Sequence, residues 1–217
     1  MLVQKTITRN PRFDLFVDLA ELATGLFLAL FLWTHMLFVS TIIFGTKLFN
    51  MVPEILDPYY ISHAGIAFVV LAILLHIVVA GRRVPLKVQE QRIIWQHMRK
   101  INHKDSWIWL VQIKTGVAIL ILASVHIWAV LSDWPIEAAK SALRIKGPYF
   151  WLYVLLLLVG EFHASIGVYR QCLKWGFFQR EKASRALTKI TIIMLGLGII
   201  SLLVFYFIIQ ANGGGAI

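Results

Sequence analysis

The sequence predicts an all-α integral membrane protein of five transmembrane helices plus one amphipathic surface helix. Three observations predict it: a composition dominated by apolar residues, five apolar runs long enough to cross a bilayer, and basic residues gathered in alternate connections. Of the 217 residues, 59% are hydrophobic and 15% charged, whereas an ordinary soluble domain carries about 25% charged residues. The eight Trp, fourteen Phe and six Tyr suit helices that meet lipid and end in interfacial aromatics. A net charge of +10 on a water-soluble protein would suggest nucleic acid. Here the Lys and Arg lie in short connections between apolar runs, where they act as topology signals, and no nucleic-acid partner is expected.

The runs cover residues 22–44, 60–80, 107–131, 149–172 and 190–209, each near the ~20 residues that a hydrocarbon core of about 30 Å demands. The first begins just after Glu21, is longer than the apolar region of a signal peptide and is followed by no small-residue cleavage pattern. It is therefore expected to remain as a span. Between the second and third runs, over 84–103, Ile94, Met98 and Ile101 recur at helical spacing among Arg92, His97, Arg99 and Lys100, the pattern of an amphipathic surface helix. The tail 211–217, with Gly213, Gly214 and Gly215, has no apolar periodicity and is expected to fray. Residues 1–217 read as a single transmembrane domain.

Orientation follows from the basic residues, which accumulate on the cytoplasmic side. The N-terminal segment, the second connection and the fourth carry Lys5, Arg9, Arg12, Arg82, Arg83, Lys87, Arg92, Arg99, Lys100, Lys104, Arg170, Lys174, Arg180, Lys182, Arg185 and Lys189. The opposite side has Lys47, Lys140, Arg144 and Lys146, with Lys114 near the inner end of the third span. The N-terminus is thus expected in the cytoplasm and the C-terminus outside.

Four of the seven histidines fall inside spans, one on each of the first four: His35, His76, His126 and His163. A polar ring in hydrocarbon needs a partner, so intramembrane ionisable residues face the bundle interior and usually serve a function. His35 lies about nine residues and His126 about five from the outer edge, both within roughly 15 Å of it. His76 lies about four and His163 about nine residues from the inner edge, which gives them a second shared level. Two imidazoles at one depth on different helices can supply both axial nitrogens of an iron porphyrin buried in the bundle. Two such layers predict a di-haem four-helix bundle core. The lone Cys172 and the absence of a C-x-x-C-H sequence mean that any haem is held without thioethers and that this chain houses no iron–sulfur cluster.

A flat macrocycle needs little bulk beside its ligands. Ala72 and Ala80 flank His76, Ala123 and Ala129 flank His126, and Gly160 and Gly167 flank His163, whereas Phe31, Leu32, Phe38 and Val39 surround His35. The competing reading is four histidines hydrogen-bonded between helices. His63, His97 and His103 read as interfacial or surface residues, with His63 near enough to the outer face to line a ligand pocket.

Among eleven acids only Glu161 is well inside a span, two residues before His163. A carboxyl is expensive in hydrocarbon, and one kept there suits proton uptake and release, or else a structural hydrogen bond. Glu54 and Asp57 sit on the outer connection near the His35/His126 level, either as bases for a quinol or as solvated loop acids. Haem propionates find basic or indole N–H partners near the membrane edges. Lys174 and Trp109 inside and Arg144 outside suit that role, and equally that of interfacial anchors.

With these residues in place the chain resembles the di-haem cytochrome b subunit of quinol:fumarate reductases and succinate:quinone oxidoreductases. The resemblance rests on five spans with an amphipathic helix after the second, one histidine on each of the first four spans, and the triplet Glu161-Phe162-His163. It implies two b haems, ligated by His35 with His126 and by His76 with His163, and it gives Glu161 a role in transmembrane proton transfer. Glu54 is then similar to an acid of the outer quinol pocket, and Trp109, Arg144 and Lys174 to propionate partners. The resemblance further implies a flavoprotein subunit bearing FAD and the fumarate or succinate site, and an iron–sulfur subunit. This chain itself has neither cluster cysteines nor a nucleotide-binding fingerprint.

The basic cytoplasmic face with its surface helix is a plausible docking surface, unless its charge is positive-inside bias alone. The expected function is that of the membrane anchor and electron-transfer subunit of a menaquinol:fumarate reductase in a bacterial cytoplasmic (inner) membrane. Succinate:quinone reduction uses the same path in the opposite direction. A haem-free membrane anchor and a transporter with a histidine proton relay are the readings of another class. A dimer of such heterotrimers is compatible with this reading.

Overall fold

A computed structural model describes residues 10–82, 84, 85 and 87–212, the side chains of 208–212 excepted. Lys5, Arg9, Arg83 and the glycines of the tail thus lie outside the described residues. Among those described there is no strand. The α-helices are α1 Pro11–Ser40, α2 Thr46–Leu56, α3 Ile61–Gly81, α4 Val88–Ile101, α5 Lys104–Leu131, α6 Ala138–Lys146, α7 Phe150–Lys174 and α8 Arg180–Asn212, with 3-10 turns over Thr41–Phe44 and Asp57–Tyr59. Five segments are long and apolar enough to cross a membrane: Pro11–Phe44, Ile61–Gly81, Lys104–Leu131, Phe150–Lys174 and Arg180–Phe207. The amphipathic surface helix takes form as α4.

Local chemistry sets the helix ends. Asn10 caps α1, its Oδ1 accepting from the Phe13 N–H at 3.3 Å, and Pro11 follows at a position that needs no amide partner. At 30 residues α1 runs about 45 Å, longer than the hydrocarbon core. Its surplus turns carry Asp14, Asp18 and Glu21, ahead of the apolar run that begins at residue 22. His103 has a capping role, its ring nitrogen accepting from the Asp105 N–H at the start of α5. At the same end of the bundle Arg180 at the start of α8 pairs with Asp105 at 2.7 Å.

Lipid gives apolar helices no hydrophobic reason to associate, so close packing must hold them. α1 and α7 are the hubs: α1 meets α3, α7 and α8, while α7 meets α5 and α8. A Cβ added at Gly198 of α8 would strike Leu157 of α7 and come within 2.8 Å of the Met36 side chain on α1. Any side chain at this position requires the ends of Leu157 and Met36 to shift. Ser40 and Ser201 are buried and return their hydroxyls to the carbonyls four residues earlier, acting as small packing residues.

The buried apolar cluster among the described residues lies at one end of the bundle, the end expected from the basic residues to be outer, rather than mid-bundle: Ile42, Phe49, Ala138, Ala142, Ile145 and Phe205, with Phe49 edge-on to Phe205 at 5.3 Å. It lies where α2 and α6 fold over the ends of the spans. Neither short helix is expected from the apolar runs, and Glu54, read from sequence as a loop acid, stands on α2. Gly45, with φ +116°, supplies the left-handed backbone that turns the chain from α1 into α2. Along the spans many large side chains stay exposed, Val78 and Trp128 by about 70%, as a lipid-facing surface permits.

Candidate functional site

Antiparallel succession of the spans brings the four histidines together in two layers, named outer and inner by the orientation expected from the basic residues. In the outer layer His35 of α1 faces His126 of α5, with ring centres 6.2 Å apart and planes at 64°. Two imidazoles bound to opposite sides of one metal ion, with bonds of about 2 Å, put their ring centres roughly 6 Å apart. The outer pair therefore has the spacing that two axial ligands require. Phe31 stacks on His35 and Tyr153 meets His126 edge-on at 5.5 Å. The buried His126 Nδ1 has no hydrogen-bond partner among the described residues.

The inner layer holds His76 of α3 and His163 of α7, each ring held by a different neighbouring helix. Thr24 Oγ1 of α1 lies 3.1 Å from His76 Nδ1, and Thr115 Oγ1 of α5 lies 3.1 Å from His163 Nδ1. A glycine follows each threonine. A Cβ on Gly25 would stand 3.2 Å from His76 Cε1, and one on Gly116 would stand 3.0 Å from His163 Cε1. The room for these rings thus comes from the facing helices. Gly160, expected from sequence to make space beside His163, faces Ile119 and Leu32, and Gly167 faces the Gln112 amide. A Thr-Gly dipeptide recurring in the first and third spans was the available signal, but only adjacency of helices gives it meaning.

Glu161 is 2% exposed and sits at the junction of α1, α7 and α8. The Trp33 indole N–H donates to Oε2 at 3.1 Å and the Ser165 hydroxyl to Oε1 at 2.8 Å, while Ser165 also meets the Thr191 hydroxyl at 2.6 Å. None of these three partners stood out in the sequence, since each is a common residue on a separate element.

Near the outer layer Arg144 is 8% exposed. It bonds Asp133 Oδ2 at 3.0 Å and Ser141 Oγ at 3.2 Å and reaches the Tyr153 hydroxyl, while its Nε is buried without a partner among the described residues. Glu54 lines an outer cleft of about 360 Å³ with Asn50, Pro53, Asp57, Pro135 and Glu137. Asp57 itself accepts from Ser62 at 2.6 Å. His63, beside this cleft in sequence, packs its ring 4.3 Å from that of Trp134. At the inner end Lys174 pairs with Asp18 at 3.1 Å and with Glu21 at 4.0 Å, and Arg82 joins the same two acids. Trp109 is half-buried on the second turn of α5.

Five apolar spans with paired imidazoles between them define a polytopic helical membrane protein. Residues 88–209 match the family described as succinate dehydrogenase/fumarate reductase transmembrane subunit, and the chain belongs to that family. It is 32% identical over 183 residues to the fumarate reductase cytochrome b subunit of Wolinella succinogenes, a match covering 80% of this chain and 72% of that one. A subunit of the same name in Helicobacter pylori is 33% identical over 75% of this chain and 68% of its own. The succinate dehydrogenase cytochrome b558 subunit of Bacillus subtilis is 23% identical over 76% and 81%, respectively.

Proposed function

We propose that this chain is the quinol-oxidising, electron-transferring membrane anchor of a menaquinol:fumarate reductase, working as one transmembrane unit with flavoprotein and iron–sulfur partners. The observation that carries the proposal is the 6.2 Å separation of the His35 and His126 rings on non-adjacent stretches of chain. Similarity to two fumarate reductase cytochrome b subunits supports it. In this reading His35 and His126 ligate an outer b haem, and His76 with His163 an inner one. Bound there, the haems supply one-electron transfer between the two faces of the membrane. The partners carry FAD and the iron–sulfur clusters.

Glu54, on the wall of the outer cleft, takes a proton from menaquinol there. Arg144, with a buried N–H to spare, holds a propionate of the outer haem, and Lys174 and Trp109 serve the inner one. Negative charge carried inward works against the membrane potential, by about 2.3 kcal/mol per charge per 100 mV. A proton moving the same way at Glu161, handed on through Ser165 and Thr191, cancels that term. In this reading the N-terminus and the docking face lie in the cytoplasm of a bacterial cell, which the basic ends of the spans support. Similarity to the succinate dehydrogenase subunit supports a second reading, the same path run from succinate to quinone.

A reduced-minus-oxidised absorption spectrum of the purified complex tests the proposal. Sharp b-type bands at two haems per chain are expected, and His126→Ala removes one of them. Colourless protein made with ample haem, or two haems retained in the His126→Ala variant, would refute it.

A further inference from the structure

The inner histidines are each held by a hydroxyl whose own hydrogen is already committed. Thr24 Oγ1 lies 2.7 Å from the Ala20 carbonyl and Thr115 Oγ1 lies 2.8 Å from the Val111 carbonyl. A carbonyl oxygen can only accept, and two oxygens approach this closely only with a hydrogen between them. A threonine has one hydroxyl hydrogen, so toward the imidazole it can only accept. The hydrogen in the 3.1 Å contacts must therefore sit on Nδ1 of His76 and of His163. That leaves each Nε2 with a free lone pair.

The two threonine contacts are built alike, and the His163 ring also approaches the Gln112 backbone carbonyl. Thr24-Gly25 on α1 serves His76 of α3, and Thr115-Gly116 on α5 serves His163 of α7. In each the glycine next to the hydroxyl lets the Cε1 edge of the ring lie where a Cβ would be, within 3.2 Å or less. Hydroxyl and gap act on adjacent edges of one ring, so tautomer and tilt are fixed together. His126 of the outer layer lacks this device, since its Nδ1 has no hydrogen-bond partner among the described residues.

We propose that Thr24 and Thr115 are matched positioning residues, which hold His76 and His163 with Nδ1 protonated and Nε2 presented to a metal, while Gly25 and Gly116 admit the rings. The proposal rests on the ligation of the inner haem by these two histidines. A hydrogen bond accepted from the non-ligating nitrogen raises the basicity of the ligand and favours the more oxidised metal. Removing it should move the inner haem alone to a higher midpoint potential.

The test is a potentiometric titration, followed by absorption and by the electron paramagnetic resonance of the oxidised haems, on the haem-loaded complex with Thr24→Val, Thr115→Val and the serine counterparts. Each valine variant is expected to keep both haems, shift one midpoint upward and leave the other in place, with serine restoring the original value. Should a valine variant lose one haem instead, recovery in the serine variant supports the proposal, and failure to recover overturns it. Unchanged midpoints and resonances in both valine variants overturn it, as does a shift that serine does not reverse. A shift in one variant only keeps that threonine and overturns the matched pair. His76→Ala and His163→Ala run in parallel separate the two readings. Two haems retained there would remove the ligation itself, whereas loss of one haem beside silent threonines would remove this inference alone.

Discussion

A carboxyl buried among apolar helices persists because each of its oxygens is served: Glu161 receives the Trp33 indole on one side and the Ser165 hydroxyl on the other. Replacement by Gln keeps the shape and one oxygen, and Ser165 can turn toward Thr191 to accept from the new amide. Glu161→Gln should leave fold and haem content intact, lower quinol-driven fumarate reduction by about 10²-fold, the scale of a lost proton-transfer group, and spare reduction driven by a viologen. Steady-state assays with the two donors on one preparation check this; full activity with quinol would rule out proton transfer at this residue. Glu161 was legible in the sequence as the one acid deep within a span, and the four histidines as one per helix. Their partners were not legible. Trp33, Thr24 and Thr115 become meaningful only once it is known which helix faces which, and no single-helix pattern encodes that.

Among the elements, α1 and α7 bear the architecture, and Gly198 of α8 is the glycine whose would-be Cβ comes nearest to their side chains. Gly198→Leu forces a branched side chain against Leu157 and Met36, an overpacking that costs about 1–3 kcal/mol. A lower thermal midpoint in detergent is expected, whereas Gly196→Leu, at a position with open space around the would-be Cβ, should match the parent. The five spans were readable because twenty apolar residues in a row have few other uses. α2 and α6 were not, since an amphipathic helix of 11 or 9 residues lies inside a connection without a long run to announce it. Their helical form was decided by the outer apolar cluster that they cover, which is a tertiary contact.

At the scale of the whole molecule the decisive pattern is charge. Lys47 is exposed before α3 and Lys182 is exposed near the start of α8, at opposite ends of the bundle. In intact cells a membrane-impermeant maleimide should label Lys47→Cys and leave Lys182→Cys unlabelled until the membrane is opened; the reverse pattern would invert the proposed orientation. Cys172 is buried and gives little background.

The cap of α2 and α6 has a mechanical consequence. Lipid offers no friction against one greasy rod sliding along another, and a slip of one helical turn is about 5.4 Å, enough to carry His35 past His126. By packing Ile42 at the end of the first span, Phe150 and Tyr153 at the start of the fourth and Phe205 on the last beneath a common roof, the cap works as a depth stop that sets α1, and His35 with it, against α7 and α8.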